Sequence, residues 1–339
     1  MNCMLRGLLL MGAVTVGGCS TVPSSDVVAN AHLRTSAARH AVELNEDEAR
    51  GYAELAVPFS DLSAHVYCKY LLKPGSVDPL RCEKEYPLHK YGWVRLFDSH
   101  EVLTKDEQET GLAFSAFARE VPAKAVREVV IAFRGTDFWS MHDWRSNLRW
   151  FTRLLPGEDQ YALLYRHATK MTDKALAMSR EALPHYEAYE IYATGHSLGG
   201  GLAQMLTYAD RRYTGAVVFD PTPVTGYSTT VEDARVNCSS RVLRIYERGE
   251  ALQYVRSFLR QFYTLSDNIH EVSMNLLHHQ GNPIKNHSMG EFNDKLILLA
   301  GHPGKIAAFP AKPDCSCYRV RHAGEPTTWP KVCTVAPAQ

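Results

Sequence analysis

Gly195-His196-Ser197-Leu198-Gly199 carries the plainest chemistry in this chain. A serine hydroxyl is a weak nucleophile, but a G-x-S-x-G turn between a strand and a helix exposes it to a substrate carbonyl. The glycines let the turn close, because side chains there would collide with the strand and the helix. Such a serine needs a base to take its proton, an acid to orient that base, and donors for the oxyanion. The reaction implied is acyl transfer. The motif alone is weak, since any glycine-rich loop can hold a serine, so the elements around it must carry the case.

Those elements are favourable. Residues 190–194 read as a short buried strand that ends at the motif, and Leu198, Leu202, Leu206 and Ala209 recur at helical spacing after it. Gly199, Gly200 and Gly201 weaken such a helix, which points to close backbone approach at its start. Upstream, residues 46–72 read as a helix interrupted near Pro58, and residues 112–118 and 129–133 read as strands. Residues 159–182 read as a long helix carrying Leu164, Ala168, Met171 and Ala175, closed by Pro184. Buried strands follow at 216–219 and 242–246. The alternation predicts an α/β fold with a mostly parallel central sheet flanked by helices.

Several residues could serve the serine. Phe133-Arg134-Gly135-Thr136 ends a buried strand, which puts Thr136 at the same sheet edge as the motif. A base must be found among 15 histidines, and His270, His278, His279 and His287 are among those that follow the serine. His278 and His279 suggest a metal pair, but adjacent side chains rarely face one ion, and a solvated loop is the simpler reading. His196, inside the turn, reads as structural. Two carboxylates compete as the acid: Glu250, and Asp220, which ends a strand before Pro221.

Taken together, Phe133-Arg134-Gly135-Thr136, Asp143-Trp144, Gly195-His196-Ser197-Leu198-Gly199-Gly200, residues 244–250 and Asn286-His287-Ser288 resemble the class 3 lipases. The resemblance spans about residues 50–295 and implies an α/β-hydrolase. It implies Ser197 as nucleophile, His287 as general base, and Thr136 with the backbone N–H of Leu198 as oxyanion donors. Glu250 stands where the family usually carries an aspartate, and glutamate also orients histidine in this fold. Asp220 stays open as the alternative acid. In the family, the segment after the oxyanion strand lies over the site. Here it holds three of the five tryptophans, Trp139, Trp144 and Trp150. Ser140 and Asp143 fit a capping box, so a short helix is expected near Met141. Trp144, Leu148 and Phe151 share a core-like stripe, while Phe138, Trp139 and Met141 lie off it as lid candidates.

The first 18 residues are expected to be a signal peptide, with Arg6 ahead of an apolar stretch too short to span a bilayer. Val16-Gly17-Gly18-Cys19 resembles a bacterial lipobox, which implies cleavage before Cys19, lipid attachment to it, and a place at the cell envelope, in the outer membrane. An ordinary secretory peptide is the alternative. Residues 19–44 read as a tether, 45–305 as the hydrolase domain, and 306–339 as a Cys- and Pro-rich tail. Of eight cysteines, removing Cys3 and Cys19 leaves Cys68, Cys82, Cys238, Cys315, Cys317 and Cys333. An even number in an exported chain suggests disulfides, with Cys68–Cys82 the best pair; zinc lacks a C-x-x-C to support it.

With 37 basic and 37 acidic residues, the chain has no electrostatic footprint for nucleic acid. The expected partners are a lipid or ester substrate and the membrane reached through the anchor. The chemistry calls for no metal and no organic cofactor. The sequence therefore reads as a serine hydrolase of carboxylic esters, a lipase or phospholipase. The alternatives are a short-chain esterase or thioesterase, and a non-catalytic envelope lipoprotein on a hydrolase scaffold.

Overall fold

Strict alternation of apolar side chains in the central strands dictates a sheet covered on both faces. In β5 (Val126–Phe133), Val129, Ile131 and Phe133 join one buried cluster, while Val130 and Ala132 join the other. The computed structural model describes residues 30–35, 40–70, 79–135, 160–223, 241–259, 268–277 and 282–301. The strands are β1 (Ala31–Arg34), β2 (Val42–Leu44), β3 (Val94–Asp98), β4 (Phe114–Val121), β5, β6 (Tyr189–His196), β7 (Gly215–Phe219), β8 (Arg241–Glu247) and β9 (Ile269–Met274). They form one sheet in the order β2-β1-β9-β8-β7-β6-β5-β4-β3. Strands β5 to β9 are mutually parallel, and antiparallel strands extend the sheet on both sides.

The helices are α1 (Glu46–Tyr70), α2 (Pro79–Glu85), α3 (Lys105–Gln108), α4 (Gln160–Ala182), α5 (Leu198–Ala209), α6 (Gln253–Leu259) and α7 (Met289–Ala300). Helices α1 and α7 cover one face of the sheet, and α4 and α5 cover the other. Helix α1 starts at a reciprocal cap: Glu48 N–H donates to Asn45 Oδ1 at 3.0 Å and Asn45 N–H donates to Glu48 Oε2 at 3.3 Å. Asn293 of α7 donates to Asp61 of α1 at 2.7 Å, a buried polar tie between the two helices. Burial of aromatics such as Phe292 supplies the larger energy, and Phe292→Ala would cost about 3–5 kcal/mol.

Two expectations are corrected. Helix α1 is not interrupted at Pro58 but runs through it. The carbonyl that proline leaves without a donor belongs to exposed Glu54, where water can satisfy it, and the buried face keeps packing the helix onto the sheet. The segment read as a tether supplies strands: β2 pairs with β1, and β1 pairs antiparallel with β9. Leu33 and Leu44 pack on the core, and Arg34 pairs with Glu271 at 3.1 Å, so a short strand is held by tertiary contacts that its composition does not announce. The Cys68–Cys82 disulfide is present and joins α1 to α2. Among the described residues no helix is long and apolar enough to cross a membrane. Cys19 and the 306–339 tail lie outside the described residues.

Candidate active site

The chemistry collects where the parallel strands end, the edge at which open α/β sheets place ligands. Ser197 follows β6 and stands at the N-cap of α5, with φ 56° and ψ −125°, a conformation that L residues rarely hold. Its N–H donates to the Phe219 carbonyl at 3.0 Å, and its own carbonyl accepts from Thr222 N–H at 3.0 Å and Gly201 N–H at 3.2 Å. These bonds lock the turn against the end of β7. The glycines are needed for space: a Cβ at Gly195 would sit 2.5 Å from the Gly199 backbone, and one at Gly199 would sit 2.4 Å from the Phe133 carbonyl. The Ser197 hydroxyl is buried and has no hydrogen-bond partner among the described residues. Leu198 begins α5, whose first-turn N–H groups give a positive end to the dipole beside the hydroxyl.

Glu250 and His287 come together from distant parts of the chain. Gly249, at φ 79°, turns the chain after β8 and delivers Glu250. His287 closes a short 3-10 turn just before α7, and Asn286 beside it donates to the Gly249 carbonyl at 3.4 Å. His287 Nδ1 lies 2.7 Å from Glu250 Oε2, with both side chains fully enclosed. Glu250 Oε2 also accepts from Leu252 N–H at 2.7 Å, and Glu250 Oε1 accepts from Arg256 Nη2. Burial pushes the Glu250 carboxyl up, but the Arg256 charge, the His287 hydrogen bond and the Leu252 amide outweigh it, and the net direction is down. Glu250 therefore stays ionised beside the imidazole.

Asp220 sits at the end of β7, with φ 40°, and is equally buried. Its Oδ1 accepts from Glu247 N–H at 2.9 Å, and its Oδ2 has no hydrogen-bond partner among the described residues. Arg256 lies 3.8 Å away and His196 Nε2 4.0 Å away, too far for strong bonds. Burial first, then the Glu250 charge, holds the Asp220 carboxyl well above its usual value. Burial also pushes the Glu247 carboxyl up, to about 8. The hydrogen bond to His287 thus belongs to Glu250 and not to Asp220.

His196 packs its ring 4.5 Å from that of His287 and places Nδ1 3.2 Å from Tyr67 Oη. Burial, then the neighbouring His287 and Arg256, push its imidazole well below the ordinary histidine value, so it is neutral. Tyr67 also donates to the His196 carbonyl at 3.2 Å, and a Cβ at Gly135 would lie 2.0 Å from Tyr67 Oη. His270 stands on β9, away from this group, while His278 and His279 lie outside the described residues. So do Thr136, Phe138, Trp139 and Met141. Sequence reasoning missed Tyr67 and Arg256. The available signal for Arg256 was a lone cation six residues after Glu250, among the apolar residues of α6.

Sheet, turn and buried carboxylate–histidine pair define an α/β-hydrolase. The family model for Tle-like phospholipase domains, described as phospholipase-like, matches residues 62–242, and the chain belongs to that family. It is a carboxylic ester hydrolase of the lipase or phospholipase kind. No curated protein matches the chain. Among solved structures it is similar to lipase II from Rhizopus niveus, at 14% identity over 62% of this chain and 76% of that chain, with TM-score 0.36. A fungal lipase–inhibitor complex is similar at 14% identity over 72% and 96%, with TM-score 0.40. An esterase of Pyrococcus furiosus is similar at 11% identity over 67% and 95%, with TM-score 0.31.

Proposed function

We propose that this chain cleaves acyl esters of phospholipids or glycerides through an acyl-enzyme on Ser197, with His287 as general base and Glu250 as its orienting acid. The observation that carries the reading is the buried Glu250–His287 hydrogen bond at the sheet edge where Ser197 holds its strained turn. Glu250 fixes the His287 tautomer by accepting from Nδ1, which leaves Nε2 to take the serine proton. The Ser197 oxygen then adds to the acyl carbonyl, and the negative charge develops on the carbonyl oxygen. Leu198 N–H, at the start of α5, and Thr136 are the donors proposed for that oxyanion. Removing one such donor typically costs about 3–4 kcal/mol. His287 returns its proton to the leaving alcohol, and water activated by the same imidazole releases the acid.

The resemblance to class 3 lipases supports these roles, and the family's phospholipase-like character supports a lipid substrate. Phe138, Trp139 and Met141 are proposed as the lid that meets lipid, and Cys19 as the site of a lipid anchor at the bacterial envelope. Fluorophosphonate labelling tests the serine: the wild type should label, and Ser197→Ala should not. Equal labelling of both would return the chain to a scaffold role. Palmitate incorporation that persists in Cys19→Ala would remove the anchor.

A further inference from the structure

More polar atoms converge beside Ser197 than an acyl-enzyme mechanism uses. His196 Nε2 and Asp220 Oδ2 face each other at 4.0 Å, both deeply buried, and neither has a hydrogen-bond partner among the described residues. One ligand atom from each of His196, Asp220 and His287 lies within 4.8 Å of the others. Buried polar atoms are nearly always paired, so two that face each other unpaired call for an occupant.

The chemistry of the cluster identifies that occupant. Tyr67 Oη gives its proton to the His196 carbonyl and stands 3.2 Å from His196 Nδ1. In the tautomer that donates from Nδ1 to Tyr67 Oη, Nε2 presents a lone pair toward Asp220. His287 is braced through Nδ1 in the same way, by Glu250 at 2.7 Å. Oxygen partners on the far ring nitrogen are the support that metal-binding histidines use to fix tautomer and orientation. Two imidazole nitrogens and one carboxylate oxygen suit zinc-like ions, whereas Ca²⁺ and Mg²⁺ seek oxygen ligands. Atoms within 4.8 Å of one another can share a centre about 2.8 Å away or less, so an inward shift of under about 1 Å reaches zinc bonding distances.

We propose that His196, Asp220 and His287 form an inhibitory site for a divalent transition-metal ion of the zinc type. The ion occupies the His287 nitrogen that would accept the Ser197 proton, and the hydrolase stops without any covalent change. The inhibitory part rests on the serine mechanism proposed above, while the binding part does not.

The full-length chain is titrated with Co²⁺ by visible absorption and with Zn²⁺ by calorimetry, and fluorophosphonate labelling is timed in the same samples. One ion per chain is expected, with labelling slowed by Zn²⁺, restored by EDTA, and indifferent to Ca²⁺ and Mg²⁺. Asp220→Asn removes a ligand and Tyr67→Phe removes the brace on His196. Each should weaken binding about 10- to 100-fold and shift the inhibition by the same factor. No ion bound, or wild-type affinity in both variants, overturns the site, the latter by placing the ion on other histidines. Binding that leaves labelling unslowed overturns the inhibitory role. A wild type that binds the ion yet never labels, even in EDTA, keeps the metal site and sinks the serine mechanism.

Discussion

The ends of β7 and β8 each carry a fully buried carboxylate, and the two are held in opposite states. Glu250, after β8, has Arg256, the Leu252 amide and His287 around it, and its carboxyl lies below the ordinary value. Asp220, after β7, has one backbone amide and an unsatisfied oxygen, and its carboxyl lies well above. Burial acts on both in the same direction, so the difference comes from partners. A charge survives in a low-dielectric interior only where donors are already aimed at it. Such a split between neighbouring carboxylates is a mark of acid and base assignments in active sites.

The largest expected effect tests that split through activity. Glu250→Gln should lower kcat/KM on an ester substrate on the order of 10⁴-fold, as loss of an orienting carboxylate does in serine hydrolases. Asp220→Asn, assayed in EDTA, should lose no more than about tenfold. The comparison breaks if the two losses exchange places.

Next comes the cation that separates the two sites. Arg256→Met leaves Glu250 buried without its ion pair, which should cost about 3–5 kcal/mol in urea unfolding. With burial unopposed by that charge, the Glu250 carboxyl rises, so the acid limb of the rate profile should move to higher pH. Arg256→Lys keeps the charge and should shift both measurements less. An unmoved acid limb in Arg256→Met would show that the cation does not sustain the Glu250 charge.

Stability against pH sharpens the contrast with smaller effects. Asp220 has a raised folded value, so its favourable contribution is present at low pH and lost as pH rises from the ordinary carboxylate range. Glu250, lowered, contributes above its ordinary value and loses that contribution as pH falls. Asp220→Asn should therefore gain stability relative to wild type between pH 5 and pH 8, by at most about 1.4 kcal/mol for each pH unit in which only the folded carboxyl keeps its proton. Urea unfolding at the two pH values measures it, and a gain that is equal at both would contradict the assignment. Glu247→Gln should leave the rate within about threefold. It should also flatten the loss of thermal stability that wild type shows as pH rises toward about 8. A slope equal to that of wild type would mean that Glu247 does not hold its proton.

The central architecture was legible because its physics is local. Val129 to Phe133, Ile191 to Thr194 and Ala216 to Phe219 are buried on both faces and read as continuous apolar runs bounded by turns. The turn at Ser197 announced itself through glycines that sterics require. Strands β1 and β2 were illegible, because three or four residues with mixed polarity become strands only when β9 offers its edge to β1 and β1 in turn offers its own to β2. Pro58 misled for a related reason: a helix rule applied locally gave way to the packing of α1 on the sheet.

The candidate site divides in the same way. By its sequence alone the chain determined a strand–turn–helix with a serine at its apex, and a parallel sheet whose edge would gather polar side chains. It could not decide between Glu250 and Asp220 by residue type, since both are carboxylates that follow strands of that sheet. Nor could residue type single out one of 15 histidines. The tertiary structure pairs Glu250 with His287, and that hydrogen bond and the guanidinium of Arg256 exist only once β8, α6 and the start of α7 are packed together. Periodicity and turn chemistry are written residue by residue, whereas the field that keeps one buried carboxylate charged and its neighbour neutral belongs to the assembled interior.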